Sequence, residues 1–150
     1  MTKAKRLQSL VNLARNDEHH AARALGECQK LLTEQSGRLE ELRSYRHEYI
    51  SRIQQLAKAG MGIETVQRYQ QFVQRLDETI GMQATLVERM REECEEKRHT
   101  WSTARIKHKS LDKAVTRHCA VETRRRDRRE QQRSDEHVTG HYRFTEDENP

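Results

Sequence analysis

Proline is almost missing from this chain of 150 residues; the single one is the last residue, Pro150. No earlier position is therefore barred from a helix by a ring that blocks the backbone N–H. Long apolar runs are also missing: no stretch approaches the roughly 18 residues that span a membrane. The N-terminal MTKAKRLQSLVNLARNDEHH has neither the apolar region nor the small-residue cleavage site of a signal peptide. Cysteine is scarce, and Cys28, Cys94 and Cys119 follow no metal-ligand spacing. These absences point to a cytosolic protein with reduced thiols. Apolar residues are 33% of the chain against 35% charged, which excludes a wide globular core and leaves material for a narrow seam. Such polarity also suits disorder. Against that, the bulk is Ala, Leu, Glu, Gln, Arg and Lys, all strong helix formers.

The apolar residues are periodic. In the first half Leu7, Ala14, Ala21, Cys28, Gln35, Leu42, Tyr49 and Leu56 recur every seven residues, with Val11, Glu18, Leu25, Leu32, Leu39, Arg46 and Ile53 between them. In the second half Val66, Val73, Ile80, Val87, Cys94, Trp101, His108 and Val115 form one series, and Tyr69, Leu76, Gln83, Met90, Lys97, Ala104, Leu111 and His118 the other. These are the a and d positions of two heptad seams, the pattern of a coiled coil. Between them, AKAGMGIE carries Gly60 and Gly62. Glycine costs about 1 kcal/mol inside a helix and readily adopts the left-handed conformation that ends one. The expected fold is all-α: a long antiparallel two-helix coiled-coil hairpin. Its bounds are helix one about 5–57, a turn about 58–63, helix two about 64–133, and a flexible tail over 137–150. If the turn centres on Met61, facing residues sum to 122. Leu56 then faces Val66, Tyr49 faces Val73, Leu42 faces Ile80, and Cys28 faces Cys94 as two packed thiols.

Catalytic patterns are lacking. GMG has no lysine or preceding strand to make a phosphate loop. His19 and His20 are adjacent and point about 100° apart on a helix, which suits a solvated face better than a shared metal. His118 and Cys119 read the same way. REECEEKR is the pattern of surface pairs three and four apart. A thin rod has no cavity in which to shift a pKa. Neither catalysis, a cofactor, a metal nor a small-molecule substrate is expected.

What remains is surface. The g positions beside the seam, normally charged, carry Leu10, Ala24, Leu31, Tyr45, Phe72 and Leu86. Four of the chain's few rings, Tyr45, Tyr49, Tyr69 and Phe72, gather near the glycine turn. Either these residues widen the seam, or they form a docking ledge, since exposed aromatics are favoured anchors. On the second reading Tyr45→Ala and Phe72→Ala are surface changes with little effect on melting. TRRRDRREQQR, Thr123 to Arg133, is a solvated helix end, a contact for an acidic protein, or a nucleic-acid contact; its acidic breaks and lack of aromatics make the last a weak signal.

LVNLARNDEHHAARALGECQKLL, RLEELRSYRHEY and RYQQFVQRLDETI together resemble the FliJ family of bacterial flagellar export proteins. The resemblance runs over roughly Leu7 to Trp101. It implies a non-enzymatic component of the flagellar type III protein export apparatus, cytoplasmic and peripherally associated with the inner membrane at the flagellar base. The implied roles are a stalk-like activator of the export ATPase ring, a linker to the cytoplasmic domain of the export gate, and an escort for export chaperones. By analogy with rotary stalks, Leu7, Leu10, Val11, Leu111 and Val115 would face the ATPase, and Leu42, Tyr45, Tyr49, Phe72 and Leu76 the gate. A basic coiled coil that binds nucleic acid and a homo-oligomeric scaffold are the alternatives.

Overall fold

The structure, a computed structural model, describes residues 2–147, with side chains through residue 140. It holds two helices, α1 (Lys3–Lys58) and α2 (Ile63–Asp147), and no strand among the described residues. The two pack against each other as an all-α helical hairpin. Thr2 opens α1: its Oγ1 accepts the Lys5 N–H at 3.4 Å and its carbonyl the Arg6 N–H at 3.2 Å. The helix closes through tightened bonds, Ala59 N–H to the Leu56 carbonyl at 3.1 Å and Gly60 N–H to the Ala57 carbonyl at 3.2 Å. Gly60 follows at φ +95°, where a Cβ would be strained. The Gly62 carbonyl then accepts the Val66 N–H at 3.1 Å and starts α2. The glycine pair thus does two jobs: one residue ends a helix and the other begins the next.

The residues group into two compact units. Glu18–Thr103 holds the turn and the helix pair leading from it. Its buried core is Leu25, Leu39, Leu76, Val87 and Cys94, each an a or d residue. Burying a Leu or Val side chain stabilises by about 1.5–3 kcal/mol, so this seam is the principal stabilising feature. Cys28 meets Cys94 with the two Sγ atoms 2.6 Å apart, as the sum of 122 requires. Two further ties cross the seam. The Gln83 Nε2 donates to the Gln35 backbone carbonyl at 3.0 Å and to its side-chain oxygen at 2.9 Å. Arg46 donates to both Asp77 carboxylate oxygens, from Nε to Oδ1 and from Nη2 to Oδ2, the latter contact being 3.4 Å. The glutamine tie satisfies polar groups that seam positions would otherwise leave costly and favours one alignment over a slipped one. The arginine pair lies in solvent and contributes at most about 1 kcal/mol.

The other unit joins residues 1–17 to 104–150. Val11, 1% exposed, and Ala14 are its buried pair, with Leu7, Leu111 and Val115 half-buried. Helix α2 runs past the expected end near residue 133, through much of the stretch expected as a flexible tail, to Asp147. No proline interrupts it before Pro150. Residues 148–150 lie outside those described.

Candidate partner-binding surface

The rings near the turn form one cluster with Tyr49 at its centre. Tyr49 lies 4.6 Å from Phe72 and 5.6 Å from Tyr69, measured between ring centroids, and 6.2 Å from Tyr45. The Tyr69 contact is edge-on and the Tyr45 contact stacked, arrangements that aromatic quadrupoles favour. Heptad geometry explains the grouping. Tyr49 is a d residue of α1, Tyr45 sits one turn earlier on the same side, and Tyr69 and Phe72 are the d and g residues that antiparallel pairing brings opposite. Burial pushes the Tyr49 phenol above its ordinary 10.0, and the neighbouring Tyr69 and Tyr45 reinforce the rise. The Tyr49 phenol therefore stays neutral at physiological pH.

The five residues expected to face a gate differ in what they offer. Tyr45 is 49% exposed. Leu42, Tyr49 and Phe72 are half-buried, and Leu76 is buried in the seam. Leu76 thus supports the surface from beneath. Phe72 is a packing residue as well as a surface one, its ring 4.6 Å from Tyr49 against 6.2 Å for Tyr45, so its truncation lowers stability more than that of Tyr45. A shallow groove runs beside the ledge, lined by Arg38, Glu41, Leu42, Tyr45 and Gln83. Leu31 and Leu86 are exposed along the same g edges.

A similar division holds among the residues expected to face an ATPase. Val11 is buried and Leu7, Leu111 and Val115 are half-buried, whereas Leu10 is 49% exposed. Sequence reasoning missed Leu13, which is still more exposed; it sits at a c position, outside the seam and its g edge. In the same unit an open groove lies between Thr2, Lys3 and Ala4 of the chain's start and Arg117, His118 and Val121 of α2. The arginines from Arg124 to Arg133 are all exposed. Among the described residues no group of three or more His, Cys, Asp or Glu side chains could hold a metal ion, and no helix is long and apolar enough to cross a membrane.

The fold is an all-α two-helix hairpin with an apolar ledge beside its turn. The family described as Flagellar FliJ protein matches residues 2–144, nearly the whole chain. The chain belongs to that family, and with it has a role related to flagellar export. Neither the curated proteins nor the solved structures yield a match.

Proposed function

We propose that this protein is a non-enzymatic, stalk-like activator of the flagellar export ATPase ring, a linker to the cytoplasmic domain of the export gate, and an escort for export chaperones. It works in the cytoplasm, peripherally associated with the inner membrane at the flagellar base. The observation that carries the reading is the Tyr45–Tyr49–Phe72 ledge beside the turn, in a chain of the FliJ family. Leu42 and Tyr45 present the accessible apolar surface there, and the seam beneath holds them in place. The opposite role, contact with the ATPase, falls to Leu10 among the seam-flanking residues of the unit that holds both ends of the chain, with Leu7, Val11, Leu111 and Val115 shaping the surface from below.

The test is a pull-down of the full chain with the cognate export ATPase and the gate's cytoplasmic domain, paired with an ATPase assay. The chain is expected to raise ATP hydrolysis and to bind the gate domain. Tyr45→Ala is expected to weaken gate binding by about tenfold, in the range of an interface anchor, while stimulation of hydrolysis and the melting midpoint stay near wild type. Unchanged gate affinity in Tyr45→Ala removes the ledge from the account. If instead the chain binds nucleic acid with an affinity that falls steeply with salt and depends on the arginines near residue 125, the basic coiled-coil alternative replaces it.

A further inference from the structure

We propose that Cys28 and Cys94 are a redox pair, which a low-molecular-weight disulfide oxidises to an intramolecular cystine that locks the pairing of α1 and α2. The observation is their juxtaposition. The two residues stand 66 apart in sequence, on different helices, with their sulfurs in direct contact across the seam. All three cysteines are free thiols, and the third, Cys119, is exposed in the other unit. No metal-binding cluster competes for the pair among the described residues. The heptad register places both residues in one layer, and their sulfurs stand 2.6 Å apart against about 2.0 Å in a disulfide.

The chemistry is thiol–disulfide exchange, and the two residues have different parts in it. Cys28 is half-buried and reachable from solvent, whereas Cys94 is 6% exposed. Cys28 loses its proton to water, and its thiolate attacks one sulfur of the small disulfide. A mixed disulfide forms, and one small thiolate leaves and takes up a proton. Cys94 then loses its proton and attacks the Cys28 sulfur, expelling the second small thiol. Two protein thiols are oxidised and one small disulfide is reduced to two thiols. Burial, then the hydrogen bond with Cys28, pushes the Cys94 thiol up to about 11. The mixed disulfide removes the Cys28 thiol, but the burial that disfavours the Cys94 thiolate remains, so closure quickens as pH rises. Once closed, it ties the helices of the Glu18–Thr103 unit about ten residues from the end opposite the turn and prevents them from sliding by a heptad or parting at that layer.

The experiment uses the full chain carrying Cys119→Ser, fully reduced, then incubated with oxidised glutathione, trapped by alkylation and weighed intact. The expected product is a monomer lighter by two hydrogens, free of glutathione, with the peptides around residues 28 and 94 joined. Its melting midpoint by circular dichroism is expected to rise on the order of 10 °C, as for a cross-link closing a long loop. Dithiothreitol reverses the rise, and closure is faster in the folded chain than in urea. With Cys94→Ser added, a stable glutathione adduct is expected at Cys28 and no rise in the midpoint. A chain that remains a dithiol, that carries glutathione on both cysteines, or that closes without a higher midpoint overturns the proposal.

Discussion

Leu39→Asp is expected to abolish the cooperative thermal transition of the Glu18–Thr103 unit, while Leu31→Asp leaves it nearly unchanged. Both substitutions replace leucine by aspartate on α1, and only burial distinguishes them: Leu39 is 7% exposed and Leu31 48%. A carboxylate at position 39 faces the narrow seam without a partner, and an uncompensated buried charge costs about 3–5 kcal/mol. The lost leucine packing adds to that cost. A chain with so small a core has little reserve, since whole domains are stable by only about 5–15 kcal/mol. The Leu31 carboxylate stays in water, where a surface substitution shifts stability by roughly 0.5 kcal/mol or less. Far-UV circular dichroism against temperature checks the pair. Equal behaviour of the two variants would mean that the seam is not where the stability resides.

The second large effect is expected at Tyr49. Its ring touches Phe72, Tyr69 and Tyr45, and all three contacts vanish in Tyr49→Ala. Ring pairs contribute about 0.5–1.5 kcal/mol each beyond the area they bury. For a half-buried ring the total loss is about 2–3 kcal/mol, below the range for a fully buried aromatic. Tyr45→Ala removes one stacked contact from a half-exposed ring and should cost under about 1 kcal/mol. Chemical denaturation of the two variants separates a ring that supports the ledge from one that is displayed on it. A Tyr45 variant as unstable as the Tyr49 variant would contradict this division.

Heptad spacing carried most of the fold. The buried residues Val11, Ala14, Leu25, Leu39, Leu76, Val87 and Cys94 all occupy seam positions identifiable from spacing alone, because a 3.5-residue period admits one buried face. Two seam positions depart from the pattern. Leu56 is 48% exposed, for it lies in the last turn of α1, where the chain is about to reverse and the opposing helix has only begun. Lys97 is exposed, because a long stem can flank a seam while its ammonium remains in water. The cross-seam bonds were not legible. Gln35 and Gln83 do not fall in one layer when facing residues sum to 122, and their side chains reach each other diagonally. Asp77 lies outside the a and d series, so nothing in the pattern singled it out as the partner of Arg46. For the surface, spacing indicated which residues gather beside the turn but not their individual exposures. Those depend on ring packing, which draws Phe72 inward against Tyr49 and leaves Tyr45 out.

The central claim is that the chain doubles back at Gly60–Gly62 and pairs its helices in a register centred on Met61. Double electron–electron resonance between labels at Lys30→Cys and Glu92→Cys tests it most directly. The background carries Cys28→Ser, Cys94→Ser and Cys119→Ser, and the labelled chain is diluted with unlabelled chain. Both labelled positions are exposed, and together they sum to 122. Paired helices lie 8–10 Å apart between axes, so with outward-pointing labels a single distance of roughly 25 Å is predicted. A chain that continued as one unbent helix would separate the labels by about 90 Å at the standard rise per residue. Loss of the short distance on dilution would contradict an intramolecular hairpin.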